Sequence, residues 1–109
     1  MNNKNISVLK DFLAVTEISP TPISGVYCGE LPGNALGKLK PGNIWITACA
    51  NINSLAVAFQ MNAACIIAAD NPKLSPEFCQ IAKEHGITVF KTTLSSYETA
   101  VEIYHLISE

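Results

Sequence analysis

Polar side chains able to donate to or accept from a ligand gather in three short stretches of the sequence, Thr47 to Asn53, Ala68 to Asn71 and Thr92 to Ser96. Each stretch follows an apolar, β-prone run and precedes a helical pattern. At such positions the free N–H groups of a helix's first turn meet the carboxyl end of a strand and can hold an anion. Thr47, Cys49, Asn51, Asn53, Asp70, Thr92, Thr93, Ser95 and Ser96 are therefore the candidate ligand-binding residues, with a small anionic metabolite or nucleotide as the ligand class. Asn and Ser also cap helices at these places, which accounts for the same residues without any ligand.

No constellation for catalysis accompanies them. Gly33 to Leu39 has the look of a phosphate-binding loop, but its two glycines stand one residue too close and a Leu replaces the hydroxyl that would reach magnesium. A turn and a short helix closed at Gly37 explain it better. No Gly-x-Gly-x-x-Gly run opens a helix, so neither a dinucleotide nor any other cofactor is expected. His85 suits the last turn of a helix and His105 lies near the end of the chain, with no motif joining either to a nucleophile. Glu30 and Asp70 stand forty residues apart, and nothing in the sequence brings them together. Cys28, Cys49, Cys65 and Cys79, at intervals of 21, 16 and 14 residues, lack metal-ribbon or redox spacing and read as separate small apolar thiols. A thiol enzyme using Cys49 or Cys28 beside a helix N-terminus is the least favoured alternative, because no base is placed to assist it.

Composition narrows the class further. Hydrophobic residues make up 49% of the 109-residue chain and charged residues 15%, a balance that favours a folded core and one domain over residues 1–109. The net charge of −2 and the scattered Lys residues exclude a phosphate-tracking surface, so no nucleic acid partner is expected. The longest apolar runs, at Ile44 to Thr47 and Ala63 to Ala69, are far shorter than the roughly 20 residues that span a bilayer. Met1 to Lys10 shows no export signal, and a cytoplasmic location is expected.

Several elements must position the candidate residues. Apolar residues at three- and four-residue intervals from Asn5 to Val15 predict an amphipathic helix. A short strand is expected near residues 23–28, a short helix over Leu31 to Leu36, and a Lys40-Pro41-Gly42 turn leading into the strand Ile44 to Thr47. Asn51 or Asn53 caps the next helix. Cys65 to Ala69 then precedes a helix opened by Ser75-Pro76-Glu77 and closed at His85-Gly86, and Thr88-Val89-Phe90 precedes a Ser95 to Glu98 capping box. Three strand-to-helix units in succession predict an α/β fold, with a mostly parallel sheet of four to five strands and helices on both faces.

Over Gly25 to Tyr104 the chain resembles the DRTGG domain family. The likeness rests on Gly25-Val26-Tyr27-Cys28-Gly29-Glu30, Gly42-Asn43-Ile44-Trp45-Ile46-Thr47, Ala63-Ala64-Cys65-Ile66-Ile67 and Gly86-Ile87-Thr88-Val89-Phe90. The resemblance implies a fold related to the amino-terminal domain of HPr kinase/phosphorylase and a regulatory or assembly role, such as accessory domains play in CBS-containing pyrophosphatases. It brings no catalytic residue. The motifs that name the family are replaced here by Ala50-Asn51 and Ala68-Ala69-Asp70.

The function expected from the sequence is a non-catalytic regulatory module, probing a small anionic ligand with the Cys49 to Asn53 and Thr92 to Ser96 loops and assembling as a homodimer. A protein-docking module without a small ligand is the alternative.

Overall fold

A computed structural model describes residues 4–108. After a 3-10 turn at Ile6–Val8 come β1 (Leu13–Ala14), β2 (Gly25–Cys28), α1 (Pro32–Lys38), β3 (Asn43–Thr47), α2 (Ile52–Gln60), β4 (Cys65–Ala68), α3 (Pro76–Glu84), β5 (Val89–Lys91) and α4 (Ser96–Ser108). The five strands form one sheet in the order β1-β5-β4-β3-β2. Strands β2 to β5 are parallel and in sequence order, while β1 runs antiparallel along β5. This is the expected α/β architecture, with five strands. The non-export reading of Met1 to Lys10 rests in part on residues 1–3, which lie outside the described residues.

Continuous apolar runs make these strands because both faces of the sheet are covered. All five residues of β3 and all four of β4 are buried. Ile44, Ile46, Cys65, Ile67 and Phe90 pack with Ile103 and Ile107 of α4 on one face. Trp45, Ile66 and Val89 pack on the other with Ala35 of α1, Leu55 and Ala58 of α2 and Phe78 and Ala82 of α3. Three helices thus line one face and α4 crosses to the opposite one.

Local chemistry sets the boundaries. Asn51 caps α2 reciprocally with Ser54, and Ser75 caps α3 by accepting the Phe78 N–H at 3.0 Å. The N–H of Ser95 donates to Glu98 Oε1 at 3.0 Å and the Glu98 N–H to Ser95 Oγ at 3.1 Å, completing the expected capping box of α4. Hydrogen bonding from the Ser95 N–H, and then from its side chain, holds the Glu98 carboxyl below its ordinary pKa. In the Lys40-Pro41-Gly42 turn, Gly42 takes φ +82° and the Asn43 N–H reaches Lys40 O at 3.0 Å. Gly86, at φ +66°, ends α3.

Two expectations are corrected. The segment Asn5 to Val15 is not an amphipathic α-helix: it makes one 3-10 turn and then strand β1. Ile6, Leu9 and Phe12 are buried against the α4 side of the sheet, whereas Leu13 is 62% exposed. A three-residue apolar interval suits the three-residue period of a 3-10 turn as well as it suits an α-helix, and pairing with β5 then claims Leu13 and Ala14. Nor does Gly37 close a helix in the left-handed region. It lies inside α1, whose last carbonyls are met by the Leu39 N–H donating to Ala35 O at 2.8 Å.

Thr99 of α4 is fully buried, and among the described residues its Oγ1 is the buried side-chain polar atom without a partner. Removing an unsatisfied hydroxyl while keeping the side chain's shape relieves a desolvation cost. Thr99→Val is expected to raise stability by about 1 kcal/mol, read as a higher urea midpoint at unchanged slope; a lower midpoint would contradict an orphaned hydroxyl.

Candidate functional site

The carboxyl ends of β2 to β5 share one rim, as the parallel pairing requires, and the loops bearing the candidate residues emerge there. They do not converge on one point. Around β2 and β3 the organising group is Glu30, whose Oε2 accepts the Ala48 N–H at 2.7 Å and the Thr47 hydroxyl at 3.2 Å. Its Oε1 accepts the Ser96 hydroxyl at 3.4 Å from the first turn of α4. Thr47 Oγ1 also accepts the Cys49 N–H at 3.1 Å. Thr47, Cys49 and Ser96, drawn from two of the expected loops, are thus brought together by a carboxylate that the sequence pattern left unassigned. The pairing register explains the meeting: Cys28 stands opposite Ile46, so Glu30 and Ala48 both leave the sheet at the same level of the rim.

This arrangement works against thiol chemistry. Hydrogen bonding to Glu30, with some desolvation and the negative charge of that carboxylate, pushes the exposed Cys49 thiol above its ordinary pKa. Burial raises Cys28, with a further push from Glu30, and burial alone raises Cys65. The expectation that a helix dipole would favour a Cys49 or Cys28 thiolate is therefore corrected: the hydrogen bond to Glu30 outweighs it at Cys49 and burial does so at Cys28. Replacing Glu30 with Ala removes the largest cause at Cys49, so more thiolate is present at a given pH. Alkylation of Cys49 by iodoacetamide in the Glu30→Ala protein is expected to quicken severalfold at mildly alkaline pH, with buried Cys65 staying unreactive. An unchanged rate would show that the carboxylate does not govern this thiol.

Asn51 and Asn53 belong to a second place. With Ala50 and Ile52 they border a cavity of about 410 Å³ closed on its other side by Lys73, Leu74, Ser75 and Phe78. The first turns of α2 and α3 both meet it. Lys73 is exposed, α2 has no acidic residue in its first turn, and α3 has Glu77. Lys73 is absent from the sequence-derived site, although it is the cation of the loop between β4 and α3.

Asp70 and Thr92 occupy a third. The connection after β4 leaves toward the three-helix face and that after β5 toward α4, which in an open sheet parts the two loops into a crevice. Here backbone bonds fill it. The Asp70 N–H donates to Leu94 O at 2.6 Å, Asn71 N–H to Thr92 O at 2.9 Å and Thr92 N–H to Ala68 O at 3.0 Å. Asp70 and Asn71, at φ 65° and 52°, make the left-handed turn that permits this. Thr93 faces a small separate cavity of about 250 Å³ with Asn71, Lys91 and Asp11, and Ser95 caps α4. Glu30 and Asp70 share no partner.

A further cavity of about 870 Å³ lies elsewhere, between residues 15–20 and α3. Among the described residues no three His, Cys, Asp or Glu side chains form a metal-binding cluster, and no helix is long and apolar enough to cross a membrane.

Comparison with known proteins agrees with this architecture. The family profile of the DRTGG domain matches residues 25–106. Among solved structures, the CBS and DRTGG domains of the regulatory region of Clostridium perfringens pyrophosphatase, complexed with the activator diadenosine tetraphosphate, superpose with a TM-score of 0.70 at 18% sequence identity. The match covers 87% of this chain and 42% of that one, so the chain spans less than half the length of that structure. No curated protein matches.

Proposed function

The chain belongs to the DRTGG domain family, and we propose that it acts as a non-catalytic regulatory module, one domain over residues 1–109, that senses a small anionic metabolite or nucleotide. The observation that carries this reading is the cavity of about 410 Å³ where the amino-terminal turns of α2 and α3 meet Lys73. The positive ends of two helix dipoles favour a phosphate there, and an ammonium group adds a charge-assisted donor. Asn53 and Ser75 supply polar groups for the rest of such a ligand. The activator bound by the regulatory region of the pyrophosphatase is a nucleotide, which makes nucleotides the first class to test here.

A non-catalytic role is supported by the raised Cys28 and Cys49 thiols at the carboxyl-end rim, where neither imidazole lies. His85 closes α3 at the opposite rim of the sheet, and His105 lies in the last turn of α4. Four free cysteines fit a reducing cytoplasmic setting.

Thermal-shift measurements with AMP, ADP, ATP and diadenosine tetraphosphate test the proposal. A ligand at about 100 times its Kd raises apparent stability by about 2.7 kcal/mol. At least one of the four is expected to raise the midpoint, and Lys73→Glu to weaken its binding by about tenfold or more through loss of a charge-assisted contact. Absence of any shift at saturating concentrations would sink the sensor reading; a shift untouched by Lys73→Glu would move the site elsewhere.

A further inference from the structure

Helices α1, α2 and α3 cover one face of the sheet and α4 the other, so α3 is the last helix of its layer before the β1 edge. The cavity of about 870 Å³ opens there, between α3 and residues 15–20. The wall made by residues 15–20 is tied to β5 and the residues before it. The Val15 N–H donates to Val89 O at 2.8 Å. The Thr16 hydroxyl donates to Ile87 O at 2.7 Å and accepts the Val89 N–H at 2.9 Å. Thr88 Oγ1 accepts the Ser19 N–H at 3.1 Å and donates to Glu17 O at 3.3 Å. A wall fixed in this way loses little freedom when a ligand arrives.

The floor is apolar: Val15, Cys79 and Ile87 are half-buried and Ala82 is buried. Charge stands at the lips, one of each sign. Glu17 of the fixed wall and Lys83 in the last turn of α3 are exposed, and both line the cavity. Glu17 is bonded to Thr88, and α3 ends at Gly86 just before it, so the two charges face each other near the start of β5.

We infer that this cavity binds a free α-amino acid with a large apolar side chain. The carboxylate of the ligand meets Lys83, its ammonium meets Glu17, and the side chain lies along the floor toward Pro76. Glu17 repels a simple anion and Lys83 a simple cation, whereas a zwitterion gains a charge-assisted hydrogen bond from each. The volume falls within the range of about 300–1,000 Å³ common to small-molecule pockets, which leaves room for a leucine, methionine or phenylalanine side chain. Lys83 lies at the other end of α3 from the Lys73 cavity, so this site stands apart from nucleotide sensing.

Amide NMR spectra of the nitrogen-15-labelled chain, titrated with L-leucine, L-methionine and L-phenylalanine, test the assignment. At least one of them is expected to give saturable shifts confined to residues 15–20 and 79–87. Hydrocinnamate and phenethylamine, which each keep one charge of phenylalanine, should bind about tenfold more weakly or worse. Lys83→Gln and Glu17→Gln, both at exposed positions, should each weaken the amino acid by a similar factor with the rest of the spectrum unchanged. No saturable shift with any of the three overturns the inference, as do shifts that both variants leave untouched or equal binding of a singly charged analogue. Tighter binding of acetyl-leucyl-leucine amide than of every free amino acid also overturns it and assigns the cavity to an extended polypeptide.

Discussion

Trp45→Ala is expected to lower stability by about 3–5 kcal/mol, the range for deleting a large buried aromatic. Trp45 is fully buried in β3 and packs beneath α1, α2 and α3. A cavity that size cannot be refilled by neighbours already fixed by two covered faces. Because a domain of this size keeps only about 5–15 kcal/mol in all, much of the population would unfold. Trp45 has a second task. Its indole N–H donates to Gly29 O at 2.9 Å, anchoring the turn from which Glu30 reaches Thr47, Ala48 and Ser96. Trp45→Phe retains most of the packing and deletes that donor, so a smaller loss of about 1–2 kcal/mol is expected, with faster alkylation of Cys49 as Glu30 loosens. Urea titrations followed by circular dichroism measure both variants. A Trp45→Ala protein within about 1 kcal/mol of wild type would mean that β3 is not the centre of the core.

Gly42→Ala is the second large effect, and Gly86→Ala is its control. Both glycines sit at positive φ, where a side chain costs about 1–2 kcal/mol. They differ in the space around them. A Cβ on Gly42 would lie 2.8 Å from Ser24 Oγ and 3.3 Å from the carbonyl oxygen of Pro22, whereas one on Gly86 would meet nothing within 4 Å. Ser24 cannot retreat freely, since its hydroxyl donates to Pro41 O at 2.6 Å and accepts from Asn43 Nδ2 at 3.2 Å. Gly42→Ala is therefore expected to cost about 2–4 kcal/mol against about 1–2 for Gly86→Ala. Equal midpoints for the two would show that the turn between α1 and β3 yields more easily than its hydrogen bonds imply.

Elements whose signals are local were legible in the sequence. The runs at Ile44, Cys65 and Val89 declare buried parallel strands by lacking polar alternation, and Asn51, Ser75 and Ser95 each cap the helix expected after them. The amino-terminal segment was not, because its apolar interval fits two helical periods and only contact with β5 and α4 decides between them. The candidate site divides the same way. Asn51 and Ser95 were placed by cap chemistry, but Glu30 gains its role from residues 17, 18 and 66 positions away. A lone carboxylate after a four-residue strand carries no local mark of such partners. The closed seam at Asp70 and Thr92 depends on two left-handed residues that loop composition permits without dictating.

The first and last described segments meet on the α4 face. Lys4 Nζ donates to Leu106 O at 2.6 Å, and Ile6, Leu9 and Phe12 share a core with Ile103 and Ile107. A folded unit whose incoming and outgoing strands of polypeptide leave from neighbouring points can be spliced into a loop of a host protein while holding that loop's two sides only a short span apart. The same closeness predicts that joining the two ends through a short glycine-rich bridge, and opening the chain instead in the loop at exposed Lys73, leaves the sheet order intact.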